Sequence, residues 1–253
     1  MNPSPKIALV AALDREIAPL VKNWRRTQRE YAGRKFTFFE RREIVAVCGG
    51  IGLEPARRAA EAVIALYHPT HLHSVGFAGA LHAEMRIGDI FCPSVVVDAR
   101  DGSRTQLEVG EGTLLTFMAV ADAAQKTKLA QAYTARAVDM EAAAVAAAAH
   151  AHGITFGATK VISDELNCEM PGMARCIDSE GRFNAAAFAL FVAPRPWLWK
   201  SVAMLAGNSR KAAQALSSHL ERWCSDLTKD VIAAPASVVA AASSNPLRPG
   251  GRE

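Results

Sequence analysis

The sequence predicts an α/β protein with a mostly parallel sheet, on three observations. Short runs rich in Val and Ile alternate with longer Ala-rich stretches, the pattern of strands joined by helical crossovers. Most of those runs end in a glycine turn or an acid. With 253 residues, half of them apolar, the chain can bury the core that one domain of this class needs.

The first strand is expected over residues 7–13, where the apolar run stops at Asp14-Arg15-Glu16, and a helix over 16–24 follows. A second strand, 44–48, runs into Gly49-Gly50-Ile51-Gly52. The next helix, 54–67, carries Pro55 in its first turn, where a missing N–H costs nothing. Strands over 72–77 and 90–97 come next, then helices over 119–133 and 141–152, the second closed by Gly153 as a C-cap. A strand over 154–162 ends in Ser163-Asp164-Glu165. One domain is expected over residues 1–232, with an extra apolar segment from about 184. Residues 233–253, rich in Ala, Ser, Pro and Gly, are expected to be a disordered tail.

Composition excludes several classes. The 29 basic and 25 acidic residues are dispersed, so the net charge of +4 offers no nucleic-acid footprint. The cysteines Cys48, Cys92, Cys168, Cys176 and Cys224 are odd in number and lack a C-x-x-C spacing, which fits a reducing, cytoplasmic compartment and no bound metal. The start of the chain lacks the basic and long apolar regions of a signal peptide. Residues 185–205 are apolar, but Pro194, Arg195, Pro196 and Lys200 interrupt them, so no transmembrane segment is expected. Trp197 and Trp199 beside Arg195 and Lys200 leave peripheral membrane contact open, against the plainer reading of helices packed on the domain.

In an open parallel sheet, ligands bind in the crevice outside the C-terminal strand ends. Acids and glycines converge there. Val138-Asp139-Met140-Glu141 precedes an almost pure Ala helix, and a carboxylate in such small-residue surroundings can accept from two vicinal hydroxyls. Asp164 closes an apolar strand, and partial burial would suit it to hold a proton and give it to a leaving group. Taken singly, each of these acids reads equally as a helix-start residue.

Taken together, Ala12-Leu13-Asp14-Arg15-Glu16-Ile17, Gly50-Ile51-Gly52, Gly76-Phe77-Ala78-Gly79-Ala80-Leu81, Arg86-Ile87-Gly88-Asp89-Ile90, Val138-Asp139-Met140-Glu141 and Val161-Ile162-Ser163-Asp164 occur in one order. Over roughly residues 6–170 the chain resembles the nucleoside phosphorylase and methylthioadenosine/S-adenosylhomocysteine nucleosidase superfamily. The resemblance implies a three-layer α/β/α sandwich around a mixed sheet, a homodimer or larger assembly, and cleavage of the N-glycosidic bond of a purine, adenosine-type nucleoside. It implies that Asp164 protonates the base, that Glu16 activates water, and that Glu141 grips the ribose with Met140 packed on the sugar. Phe77, Ala78, Gly79, Val120 and Ser163 would complete the substrate site, with the segment from Thr116 to Val120 along the base. Three departures stand out. Phe77 replaces a small or hydroxyl residue, Thr116-Phe117-Met118 replaces a Ser-Gly-Asp element in a shortened stretch between Asp89 and Asp139, and residues 184–223 are added. That added segment resembles the hopanoid-associated phosphorylases, which act on an adenosyl group joined to a long hydrocarbon.

The nucleophile is expected to be water. Phosphorolysis, with phosphate as co-substrate, would need converging donors, and Gly50 and Gly52 are candidates for an anion site, with Arg15 or Arg86 for charge. Glu16 beside such a site would repel the anion. No other cofactor is expected. A nucleoside-binding protein without catalysis is the third reading, since fold does not fix function.

Overall fold

The computed structural model describes residues 6–168, 172–178 and 180–233. In chain order the elements are β1 (Ile7–Ala11), α1 (Asp14–Val21), β2 (Arg25–Tyr31), β3 (Arg34–Arg41), β4 (Ile44–Cys48), α2 (Leu53–Tyr67) and β5 (His71–Ala80). They continue with β6 (Ile90–Phe91), β7 (Val95–Asp98), β8 (Arg104–Gln106), β9 (Thr113–Thr116), α3 (Ala123–Tyr133), β10 (Ala137–Asp139), α4 (Ala142–Ala151) and β11 (Thr155–Asp164). A 3-10 turn at Met173–Cys176 precedes α5 (Ala185–Val192) and α6 (Pro196–Ala233).

The strands form one mixed sheet. Its centre is parallel, with β1 between β4 and β5, and β11 on β5. The β2–β3 hairpin extends the β4 edge in antiparallel fashion. Period-two alternation in β1 divides the core. Ala8 and Val10 face one apolar cluster with α2 and α4, whereas Leu9 and Ala11 face a second with α1 and α6. This is the three-layer α/β/α arrangement. The α4 sequence AAAVAAAAHA is buried along most of its length because its small side chains let the helix sit close to the sheet.

Several expectations are corrected. The strand expected over 90–97 divides into β6 and β7 around Pro93, which cannot donate to a ladder. The hairpin of β2 and β3, and the strands β8, β9 and β10, lay outside the expected set. The helix expected from 119 starts at Ala123, after the Asp122 cap. Beyond α4, Gly153 takes φ 63°, and the Gly153 and Ile154 N–H groups bond back to His150 and Ala149.

The extra segment from 184 forms α5 and α6. The middle of α6 packs under the sheet through Ala212, Leu216 and Leu220. Its first turns leave Trp197 and Trp199 exposed, with Leu190 of α5 exposed beside them in the sequence. No helix among the described residues is long and apolar enough to cross a membrane. Most of the expected tail, 234–253, lies outside the described residues.

Candidate active site

A cleft open to solvent lies at the C-terminal ends of the central strands, the place where ligands bind in open parallel sheets. It brings together Glu16, Phe77, Ala78, Gly79, Val120, Met140, Glu141, Ser163 and Asp164, from segments spread over some 150 residues of chain.

Glu16 is placed by the first turn of α1. One carboxyl oxygen accepts from the Ala12 and Leu13 N–H groups at 3.0 Å each, and the other accepts from the Phe77 N–H at 3.2 Å. Gly76 makes room for it: a Cβ there would stand 2.9 Å from the carboxyl oxygen, and its φ of +143° disfavours any side chain. Burial raises the Glu16 pKa, while the Leu13 N–H and the Lys160 charge act in the opposite sense. Phe77, at this corner, both lines the cleft and packs on the cluster around Leu9 and Ile17.

Glu141 stands at the N-cap of α4. Its carboxyl accepts from the Gly52 N–H at 2.8 Å and from the Met140 N–H at 3.2 Å. Burial first, and the neighbouring Asp139 charge second, push its pKa up to about 8. Asp139 holds the frame beneath it. It accepts from the Thr116 hydroxyl at 2.7 Å and the Ala142 N–H at 2.8 Å, and pairs with Lys160 at 2.9 Å. Lys160 also donates to the Ser74 hydroxyl at 3.0 Å. Burial opposes the Lys160 charge, but Asp139, Glu141 and Glu16 outweigh it and raise its pKa. Thr116, expected along the base, is instead fully buried as a support for α4; Ala119, Val120 and Ala121 line the cleft.

Asp164 follows a register shift in the β11–β5 pairing between Ile162 and Asp164. Such a bulge turns a strand-end side chain toward a site. One Asp164 oxygen accepts from the Ser163 hydroxyl at 2.7 Å, and the other is bonded by the Lys126 ammonium. Lys126 also donates to the Glu165 carbonyl at 2.8 Å. Asp164 is buried, where the sequence suggests partial burial, and a buried cation shares its environment. Lys126 escaped the sequence reading, since Ala-Ala-Gln-Lys-Thr-Lys looks like any solvated helix start.

Gly50 and Gly52, candidates for an anion site in the phosphorolysis alternative, have their N–H groups engaged by protein acceptors. The Gly49 and Gly50 N–H groups bond to the Ala11 and Ala12 carbonyls, the Ile51 N–H bonds to Gly181, and the Gly52 N–H bonds to Glu141. The turn has no donor left over. Arg86 is tied into its own turn, away from the cleft lining. Arg15 does line the cleft, its guanidinium 5.6 Å from the Phe183 ring centre.

Known proteins share this frame. The chain is 26% identical over 200 residues to a 5'-methylthioadenosine/S-adenosylhomocysteine nucleosidase of Bacillus licheniformis, which covers 63% of this chain and 85% of that one. Among solved structures, the apo 5'-methylthioadenosine nucleosidase of Arabidopsis thaliana superposes with a TM-score of 0.67 at 18% identity, covering 92% of this chain and 98% of the other. The futalosine hydrolase of Helicobacter pylori gives 0.61 at 18% identity, with 87% and 98% covered. The family model described as the Phosphorylase superfamily matches residues 6–113 and 109–191, most of the folded chain, and the protein belongs to that superfamily.

Proposed function

We propose that the protein hydrolyses the N-glycosidic bond of an adenine nucleoside, releasing the base. The observation that carries this reading is the meeting of Glu16, Glu141 and Asp164 in one cleft whose glycine turn has no N–H to spare for phosphate. The name of the Bacillus relative supports it.

Breaking the bond leaves an electron pair on the base and an oxocarbenium-like sugar. Asp164 supplies the proton that neutralises the base. Glu141 in its ionised form accepts from the vicinal ribose hydroxyls, and Met140 packs on the sugar. Glu16 takes the proton of the water that adds to C1′.

The 5′ substituent is apolar in this reading. A groove lined by Phe183, Phe188, Val202, Leu205 and Ala206, with Arg15, Arg210 and Gln214 also on it, shares Arg15, Leu205 and Ser209 with the cleft. Its rings and aliphatic side chains favour an alkyl or thioalkyl chain, and its two arginines disfavour a cationic group. Release of the base from methylthioadenosine, S-adenosylhomocysteine, futalosine, inosine and a 5′-alkyl adenosine, each with and without phosphate, tests both points. Phosphate-independent turnover, fastest for the apolar 5′ groups, is expected. Turnover that demands phosphate would refute hydrolysis, and no turnover of any compound would favour a binding protein.

A further inference from the structure

Lys126 occupies a place that helix formation does not ask for. It sits in the first turn of α3, where the helix dipole disfavours a cation, and that turn carries no acid of its own. The turn is fixed without it. The Asp122 carboxyl accepts from the Gln125 N–H at 2.8 Å, and the Gln125 side chain accepts from the Asp122 N–H at 3.1 Å. Lys126 is nevertheless almost wholly buried, while Lys128, two residues on, is exposed. Burying an ammonium is costly unless it is paired and hydrogen-bonded. Among the described residues its partners are the Asp164 carboxylate and the Glu165 carbonyl, which engage two of its three donors on a side chain that lines the cleft. Gly79 leaves space for the pair: a Cβ there would lie 2.8 Å from the Asp164 oxygen and 3.1 Å from Lys126 Cε.

We propose that Lys126 is a positioning residue for the leaving-base step: it holds the Asp164 carboxylate and supplies the proton that Asp164 passes to the base. The inference rests on the glycosidic-cleavage reading above. As the C1′–N bond breaks, its electron pair goes to the base; the Lys126 ammonium gives a proton to the Asp164 carboxylate, which passes it to a ring nitrogen of the base and is a carboxylate again. Lys126, left as a neutral amine, regains its proton from solvent. The water proton leaves separately through Glu16, so the step balances as nucleoside plus water giving base plus sugar. The charged and hydroxyl groups that bond this pair among the described residues are Lys126, Asp164 and Ser163.

The test compares two leaving groups in wild type, Lys126→Met, Lys126→Arg, Asp164→Asn and the Lys126→Met/Asp164→Asn double variant. One substrate is the best purine nucleoside; the other is 4-nitrophenyl β-D-riboside, whose leaving group departs as a stable anion without a proton. Lys126→Met should lower kcat on the nucleoside by about 10²-fold, the range for losing proton transfer. Its loss on the nitrophenyl riboside should be at least about tenfold smaller, with KM on the nucleoside moving less than about threefold. Lys126→Arg should recover part of the loss. The double variant should be no worse than Asp164→Asn, as for residues acting as a unit. Equal losses on both substrates, including a loss from misfolding, or an unchanged nucleoside rate, would overturn the proposal. A wild-type protein that cleaves neither substrate would overturn the hydrolase reading, and this inference with it.

Discussion

Among the described residues, two buried lysine–aspartate pairs lie a few residues from one another, and they differ in where they lie. Lys160 and Asp139 are sealed off. Their side chains are 1% and 0% exposed, and their remaining bonds go to Ser74, Thr116 and the α4 backbone. Lys126 and Asp164 are also buried, yet both line the cleft, which Lys160 does not. The same two residue types therefore serve two ends. A pair set behind the site ties α4 to the sheet, and a pair in the wall of the cleft is available to a ligand. Neither burial nor the number of partners separates them, since each ammonium has two partners among the described residues; their place relative to the cleft does.

The largest expected effect tests the sealed pair. Lys160→Met leaves the Asp139 carboxylate buried without a counter-charge, which should cost about 3–5 kcal/mol. For a chain of this size that lowers Tm by roughly 10 °C or more. Adding Asp139→Asn removes the stranded charge and should return part of the loss. A Lys160→Met melt close to wild type would show that the pair does not hold α4 to the sheet. Next in size, Asp164→Asn should lower turnover by about 10²-fold or more, equivalent to roughly 2.7 kcal/mol of transition-state stabilisation. Its Tm should fall by less than that of Lys160→Met, because the amide oxygen can still accept from Lys126. A turnover near the wild-type rate would remove Asp164 from the chemistry.

The contrast between the pairs marks how far the sequence could be read. The strand at 44–48 and the Ala-rich helix before Gly153 were legible, because β-branched runs and cap residues act locally. The β2 strand was not. Its sequence RRTQREY has no buried residue to set a period, and it forms because β3, with Phe36 and Phe38 turned inward, presents it an edge. Glu16, Glu141 and Asp164 could be named in advance through the ordered motifs that resemble a known family, since singly each reads equally as a helix-start acid. Lys126 could not be told from Lys128 by local pattern, since both follow the Asp122 cap within the first turns of one helix. The glycine turn stayed open to two readings for the same reason. Its N–H groups are consumed by the Ala11, Ala12 and Gly181 carbonyls and by Glu141, partners about 40 to 130 residues away, and nothing local reveals them.

A smaller perturbation examines the open pair without removing a charge. Gly79 has no positive φ among the chain's glycines, so Gly79→Ala strains no backbone, and its new methyl meets the Asp164 oxygen and Lys126 Cε directly. Turnover should fall by about tenfold through displacement of the pair, with Tm changed by no more than a few degrees. If Tm falls steeply while the remaining activity per folded molecule is unchanged, Gly79 matters for packing alone.

The smallest effect concerns Glu141, which stands between the two pairs and takes its raised pKa from burial first and Asp139 second. The unfolded chain releases this proton near the ordinary glutamate value of 4.5, while the folded chain keeps it up to about 8. Between those values the native state binds more protons, so stability must fall as pH rises, by at most about 1.4 kcal/mol per pH unit for one group. Glu16, also raised by burial, adds to the decline in the same direction. Glu141→Gln cannot titrate and should give a shallower loss of Tm between pH 5.5 and 8 than wild type, with the Glu16 part of the slope retained. Nucleoside binding should move the opposite way. Ribose hydroxyls donate best to the ionised carboxylate, so affinity in the wild type should improve across the same window and stay flat in Glu141→Gln. Parallel pH profiles for the two proteins would mean that Asp139 and Lys160 hold the charge beneath the sugar, and that Glu141 serves only as the cap of α4.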